Sequence, residues 1–309
     1  GENVRAMYRK FETTEKTKAL FKMFDKEFLF DKIEWIQADI IDVPSLEKAF
    51  ADIEKVYHCA AMISFEPKDE AKLRKVNIEG TANVVNLCLA FNVKKMCYVS
   101  SIAALGDLKD HETIITETSE WNPEKEHSDY AISKFGAEIE VFRGQQEGLP
   151  VIIVNPGVIL GQVPNLNDFT SGSSAIYAKV KKGLSFYTKG STSFVAVTDV
   201  VKIMRLLMNS DISNERFILS AGDFTFKDVI TYIAKSLDLK PPTTYIKPFI
   251  IGMVWRIDWL ISNILFKERT LSKAMAKSLN SVESLSNEKI KLALNYEFEN
   301  IEEYCKEIG

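Results

Sequence analysis

The sequence predicts an α/β fold in which helices cover both faces of a parallel sheet. Short β-branched or aromatic runs alternate with longer helical patterns, and those runs are apolar along their whole length. Strands with this composition, separated by helices, are typical of a doubly wound parallel sheet. The predicted strands cover residues 4–8, 33–37, 55–59, 96–100 and 151–155, and the helices between them cover residues 14–29, 69–91 and 128–147.

The pattern changes after residue 155. A polar loop at 161–174 precedes a helix at 198–209, a strand at 216–219 and a helix at 225–237. Pro241 and Pro242 then stop the helical pattern, and the remainder again has helical character. We therefore predict a nucleotide-binding domain over 1–215 and a smaller, mostly helical substrate lobe over 216–309, with the segment 161–195 contributing to it.

Composition excludes several classes of protein. With 309 residues, 46% hydrophobic and 27% charged, the chain is neither disordered nor fibrous. A net charge of −4 argues against a nucleic-acid partner. The four cysteines show no CxxC spacing, which favours a reducing cytoplasm and no metal site, and the sequence opens without an apolar leader, so secretion is not expected.

The most apolar stretch is residues 248–266. Arg256 and Asp258 interrupt it near the middle, so we expect no membrane span. A buried or half-buried helix is the plain interpretation, while a lid over an apolar ligand and a contact with a membrane surface are the alternatives. We predict that the stretch helps to cover an apolar substrate pocket.

Ligands of open parallel sheets bind at the carboxyl ends of the strands, and polar or small side chains follow the predicted strands there. The first strand ends in two cations, the second in a carboxylate, the third in small residues and the fourth in two hydroxyls. In that order, these residues are Arg9, Lys10, Asp39, Ala60, Ala61, Ser100 and Ser101.

The predicted helix at 128–147 carries a phenol and an ammonium four residues apart, at Tyr130 and Lys134. That spacing places them on one helix face, about 5–6 Å apart at Cβ. A positive charge near a phenol favours the phenolate and lowers its pKa, which makes the phenol a usable acid and base. Tyr177 and Lys181 repeat the spacing, but we interpret that copy as a solvated helix face because it lies in a basic stretch beyond the alternating region.

Taken in order, these motifs resemble the extended short-chain dehydrogenase/reductases, the NAD-dependent epimerase/dehydratase family, whose fold is Rossmann-like. The resemblance covers nearly the whole chain and also includes Asn77, Asn155-Pro156-Gly157 and the stretch from Phe194 to Asp199. It implies catalytic roles for Ser101, Tyr130 and Lys134, with Ser100 as the alternative hydroxyl. The cofactor contacts that it implies are Arg9, Lys10, Asp39, Ile40, Ala60, Ala61, Asn77, Ser100, Tyr130, Lys134, Pro156, Gly157 and Val158.

The same resemblance suggests the chemistry. Arg9 and Lys10 stand where a basic residue accommodates the 2′-phosphate of NADP, so NADP is the expected cofactor and NAD is the alternative. The residues 155–161 look like the dihydroflavonol 4-reductase and 3β-hydroxysteroid dehydrogenase branch. We therefore expect hydride exchange with a carbonyl or secondary alcohol of a small, largely apolar molecule.

Two other functions stay open: a nucleotide-sugar epimerase or dehydratase, and a protein that senses NADP or binds a partner without turnover. The family's Gly-rich phosphate loop is absent from the sequence, and residues 1–6 resemble the start of the family's second strand. We therefore expect a fragment that lacks the first strand, loop and helix. The helices at 69–91 and 128–147 suggest a homodimer.

Overall fold

A computed structural model describes residues 2–162, 175–265 and 271–308. Its first two strands, β1 (Arg5–Tyr8) and β2 (Glu34–Gln37), form a parallel pair. The predicted helix between them is divided into α1 (Glu12–Met23) and α2 (Glu27–Phe30). The division follows from Asp25, whose φ of 55° is incompatible with a continuous right-handed helix.

The main sheet has four parallel strands in the order β3, β4, β5, β9. These are β3 (Lys55–His58), β4 (Lys95–Val99), β5 (Val151–Pro156) and β9 (Glu215–Leu219). Every residue of β5 is buried, as the apolar run at its start predicts, and the burial includes the polar Asn155 near its end. Within the described residues, no strand pairing joins β1 to β3, so each of these strands has one hydrogen-bonded neighbour.

Helices pack on both faces of the main sheet, which confirms the predicted fold class. One face carries α3 (Val43–Ala49), α5 (Gly80–Ala90) and α6 (Asp129–Gln146), with the short α4 (Glu70–Leu73) and a π-helical segment, Arg74–Glu79, leading into α5. The other face carries α8 (Val197–Met208) and α12 (Glu288–Leu294).

A second, smaller sheet lies beyond β5. It contains β6 (Val158–Leu160), β8 (Ser191–Ala196) and β10 (Gly222–Thr225), and a short pair is formed by β7 (Phe186–Tyr187) and β11 (Thr244–Tyr245). One apolar core joins this sheet to α7 (Ala175–Lys181), α9 (Phe226–Ser236) and α13 (Ile301–Glu307). The alternating pattern did not reveal β6, β8 or β10.

The predicted boundary after residue 215 falls within β9, which pairs with β5 in the main sheet because its apolar residues extend the buried layer. Phe194, in the segment 161–195 that was expected to contribute to the lobe, shares one core with Ile233. Residues 163–174 of the predicted substrate loop lie outside the described residues.

The apolar stretch forms α10 (Pro248–Leu265), which packs against α11 (Lys273–Ser278). Of the two interpretations, full burial is excluded: Ile251 is buried on the inner face, whereas Phe249 is 74% and Ile264 is 64% exposed on the outer face, so the helix is half-buried. No helix within the described residues has both the length and the apolar character that crossing a bilayer requires.

Candidate active site

Tyr130 lies in the first turn of α6, at the carboxyl edge of the main sheet. The helix begins there because the Ser128 hydroxyl accepts a hydrogen bond from the backbone N–H of Ala131 at 3.1 Å, which caps the first turn. The half-buried ring of Tyr130 contacts Phe65 edge-on, with ring centroids 5.8 Å apart. The helix cap and this ring contact orient the phenol.

The side chain of Ser101 is close enough to the phenol of Tyr130 to affect the pKa of that phenol. Ser101 follows β4 and caps a short 3-10 turn, where its Oγ accepts from the backbone N–H of Ala103 at 3.2 Å. Burial raises the pKa of Tyr130, while the Ser101 side chain lowers it to a smaller extent. The two hydroxyls that the sequence singled out therefore meet.

The ammonium of Lys134 is buried near this pair, but it does not make the expected contact with Tyr130. It donates to the hydroxyl of Tyr98 at 2.8 Å and to the carbonyl of Val99 at 2.9 Å, and it lies 4.4 Å from the centre of the Tyr98 ring. Burial lowers the pKa of Lys134 to about 8, although the Glu138 carboxylate opposes that shift. The four-residue spacing predicted that the ammonium of Lys134 lies against the phenol of Tyr130, whereas in the structure it contacts the hydroxyl of Tyr98.

A chain of buried polar groups continues from Lys134 into the sheet. Burial raises the pKa of Tyr98, and the nearby Thr81 side chain opposes that shift; Thr81 Oγ1 lies 2.9 Å from His58 Nε2. Burial, together with the charge of Lys134, lowers the pKa of His58 to about 3. His58 is therefore neutral at physiological pH and is a hydrogen-bonded core residue.

A second buried network ties Ser101 to the far strand of the sheet. Asn155 Nδ2 donates to the carbonyl of Ser101 at 2.8 Å and to Glu138 Oε1 at 2.6 Å. The other oxygen of Glu138 pairs with the Arg216 guanidinium of β9 at 2.9 Å, with the Glu138 side chain fully buried. This ion pair braces the turn that carries Ser101.

The side-chain amide and carbonyl of Asn77 both make hydrogen bonds within the protein. Its amide donates to the carbonyl of Met62 and to Ser133 Oγ, both at 2.9 Å, and its carbonyl accepts from the N–H of Met62 at 2.7 Å. The residue sits in the π-helical segment, whose wider turn is frequent at functional sites. Asn77 thus links the segment after β3 to α6, and both Ala60 and Ala61 in that segment are exposed.

The predicted adenine and phosphate contacts lie at the ends of β1 and β2. Arg9 and Lys10 are exposed beyond β1. Asp39 forms an Asx turn, because its Oδ1 accepts from the N–H of Ile41 at 3.2 Å. Ile40 is buried against Gly80, where an added Cβ would come within 2.6 Å of the Ile40 side chain.

The bend from β5 to β6 is formed by Pro156, Gly157 and Val158. Gly157 donates to the carbonyl of Leu219 at 3.0 Å. An added Cβ on Gly157 would lie 2.5 Å from the backbone oxygen of Ser193, so glycine permits this close approach of β8.

The residues present fit a nicotinamide nucleotide. Ser100 Oγ is buried and has no hydrogen-bond partner within the described part of the chain. The ammonium of Lys134 has three N–H groups and uses two of them. The groups that would hold the cofactor are Arg9, Lys10, Ser100 and Lys134, whereas the amide of Asn77 is already satisfied.

Sequence reasoning missed three participants: Tyr98, Glu138 and Arg216. Tyr98 lies within an apolar strand, where the sequence pattern gives no sign of a polar role for its hydroxyl. Glu138 continues the four-residue spacing from Lys134 along α6, and that repeat was the available signal. In residues 2–162, 175–265 and 271–308, no three His, Cys, Asp or Glu side chains gather as metal ligands would.

The second Tyr-x-x-x-Lys copy has a different environment. Tyr177 is fully buried in the core of the smaller sheet, where its hydroxyl interacts with Cys305, while Lys181 is exposed. The interpretation of this copy as a solvated face is wrong for Tyr177, because the core behind α7 takes up its ring.

Comparison with known proteins decides the family. The profile of the NAD dependent epimerase/dehydratase family matches residues 2–219, about two thirds of the chain. The chain belongs to this family. Its Rossmann-like fold, its family and its class as a nicotinamide-dependent oxidoreductase are thereby confirmed.

Among curated relatives, the sterol demethylase protein B of Methylococcus capsulatus is 24% identical over 87% of this chain and 78% of that protein. The cinnamoyl-CoA reductase 1 of Petunia hybrida is 24% identical over 66% of this chain, and the matched region spans 62% of that protein.

Solved structures agree in fold. A UDP-glucose 4-epimerase from Thermotoga maritima superposes with a TM-score of 0.73 at 18% identity, covering 99% of this chain and 97% of the other. The yeast methylglyoxal/isovaleraldehyde reductase Gre2, complexed with NADPH, gives a TM-score of 0.70 at 20% identity over 98% and 89%.

Proposed function

We propose that the protein exchanges hydride between NADP(H) and a carbonyl or secondary alcohol of a small, largely apolar molecule. The approach of the Ser101 side chain to the phenol of Tyr130, one helical turn from the buried ammonium of Lys134, carries this proposal. It supplies a proton donor and an oxygen-binding hydroxyl at one point, which is what carbonyl reduction requires.

In reduction, Ser101 holds and polarises the substrate oxygen, and Tyr130 gives its phenolic proton to that oxygen as charge develops on it. In oxidation, Tyr130 accepts the proton. The nicotinamide, when bound, supplies or accepts the hydride. Because burial raises the pKa of Tyr130, the phenol keeps its proton at neutral pH, which is the form that reduction uses.

Lys134 has two roles in this proposal. We assign the ammonium, one turn along α6 from Tyr130, the role of stabilising the phenolate that forms during proton transfer, and its remaining N–H is available to the cofactor ribose. Two observations support NADP over NAD: the exposed cations Arg9 and Lys10 follow β1 directly, and basic side chains bind a phosphate through charge-assisted hydrogen bonds.

Three relatives support an apolar substrate: the sterol demethylase protein B, cinnamoyl-CoA reductase and anthocyanidin reductase that the chain matches.

Ile139 on α6 is 49% exposed, which supports a homodimer formed through α5 and α6. Cys88, Cys97 and Cys305 are buried free thiols, which supports a cytoplasmic location.

The test is turnover of the full-length protein with NADPH and a panel of aromatic and steroid-like ketones and aldehydes, followed at the nicotinamide absorbance. Ser101→Ala is expected to reduce turnover more than Ser100→Ala, which should weaken cofactor binding instead. Conversion of a UDP-sugar with no net NADPH consumption would assign the epimerase function. Cofactor binding without turnover of any substrate would assign the sensing function.

A further inference from the structure

The outer face of α10 is an exposed apolar surface. Nine of its large apolar residues are exposed, and eight of them fall within about 140° of arc at 3.6 residues per turn. These eight form the α10 apolar face: Phe249, Ile250, Met253, Val254, Ile257, Leu260, Ile261 and Ile264. Monomeric proteins seldom expose a contiguous apolar surface of this extent without a function for it.

Polar side chains of α10 face the protein, although the inner face of a surface helix is usually apolar. The inner face of α10 includes Asp258, whose carboxylate accepts from the N–H of Leu271 at 3.0 Å, and the buried Ser262. Folding therefore orients Asp258 and Ser262 inward beside the buried Ile251, and it leaves the eight residues of the α10 apolar face outside. A helix recruited only to cover the protein's own core would present the opposite faces.

The charge around α10 is positive, in contrast to the whole chain. Residues 239–280 contain seven Lys and Arg against two Asp and Glu, a net charge of +5, while the whole protein carries −4. Glu126 pairs with Lys273 and Lys277 and offsets one of these charges, which leaves the surroundings of α10 positive. Lys247 directly precedes the helix and is exposed. Arg256 borders the apolar face, with its guanidinium 4.7 Å from the Trp255 ring, and Trp259 is exposed beside it.

We propose that α10 docks the protein on an anionic membrane surface, lying parallel to it with the α10 apolar face among the acyl chains. Helices that bind in this way combine an apolar face with bordering cations and interfacial tryptophans, and they enter roughly 5–10 Å into the bilayer. The cations Lys247 and Arg256 contact the lipid phosphates. This inference does not depend on the reaction at Tyr130.

The charge distribution favours lipid over a second copy of the chain. A twofold contact through α10 would bring one segment of charge +5 against another. An anionic lipid surface instead attracts that charge, by about 1 kcal/mol for each Lys or Arg near it.

The test is co-sedimentation of the full-length protein with phosphatidylcholine vesicles, with and without phosphatidylglycerol. We expect wild type to bind the anionic vesicles at least roughly tenfold more tightly than the neutral ones, with weaker binding at high salt. Ile257→Asp combined with Ile264→Asp should lose roughly tenfold or more of that binding, because each aspartate must enter the acyl region.

Leu292→Asp is the matched control, because Leu292 is 84% exposed on α12, away from the α10 apolar face, and it should bind as wild type does. Lys247→Glu with Arg256→Glu keeps the apolar face and should lose the preference for anionic vesicles. Circular dichroism checks the fold of each variant. The proposal is overturned if wild type ignores vesicles, if the aspartates change nothing, or if they dissociate a dimer that binds no vesicles.

Discussion

The chain contains the Tyr-x-x-x-Lys motif twice, and the two copies differ in what surrounds them. Tyr130 and Lys134 stand at the carboxyl edge of the main sheet, above a chain of buried polar groups. Tyr177 is buried in an apolar core, and its companion Lys181 is exposed to solvent. Spacing on a helix brings two side chains to one face, but the protein behind that face determines whether they can do chemistry.

The largest effect expected is at Tyr130. Tyr130→Phe should lower turnover by roughly 10²–10⁴-fold, because it removes the proton donor and keeps the ring. NADPH affinity, measured by isothermal titration, should stay nearly unchanged. Tyr177→Phe is the control and should retain wild-type turnover. If the Tyr177 variant were inactive and the Tyr130 variant active, the functional copy would be the other one.

Lys134 tests whether the buried charge serves the cofactor. Burial lowers its pKa to about 8, so NADPH affinity of the free protein should be constant below pH 8 and fall above it as the ammonium loses its proton. Lys134→Met should bind NADPH more weakly and lose this pH dependence. Titrations between pH 6.5 and 9.5 measure both effects, and a wild-type affinity that stays constant to pH 9.5 would contradict the role.

His58 tests the buried polar chain through stability. Its pKa is about 3 in the folded protein against an ordinary value of 6.5, so only the unfolded chain binds the proton between these values. This contribution to stability is therefore lost as pH falls from 6.5 towards 3, by about 1.4 kcal/mol per pH unit.

His58→Gln removes that contribution. The free energy of unfolding of the variant, measured with urea between pH 7.5 and 4.5, should fall less steeply with decreasing pH than that of wild type. Parallel curves for the two proteins would show that His58 is protonated in the folded state.

The smallest effect expected is at Arg9, which belongs to neither copy of the Tyr-x-x-x-Lys motif. Arg9→Ala should weaken NADPH binding by roughly tenfold, because one solvent-screened charge-assisted contact is lost, and should leave NADH binding unchanged. Isothermal titration with both cofactors measures this. Equal losses for the two cofactors would remove Arg9 from 2′-phosphate recognition.

Local patterns predicted much of this molecule and long-range contacts supplied the rest. The strands of the main sheet and the meeting of Tyr130 with Ser101 follow from apolar runs and from the rule that strand ends converge. The contact of Lys134 with Tyr98 does not, because a helix face offers several partners at similar reach.

The ion pair of Glu138 with Arg216 joins residues 78 positions apart, and no local period encodes that. The exposure of α10 escaped prediction for a related reason. Its composition indicated an apolar helix, but which side faces the protein depends on Asp258 and its partner Leu271 in the next segment.

Among the described residues, β1 and β3 each have one edge on which no strand pairs, and Tyr57 on β3 is 41% exposed. Where such edges stay open they are templates for strands of other molecules, so we expect this stretch of chain, taken alone, to aggregate as its concentration rises. Tyr57→Lys should delay the rise in light scattering, because a charge on an edge strand opposes pairing. Identical scattering curves for the two proteins would place the aggregation elsewhere.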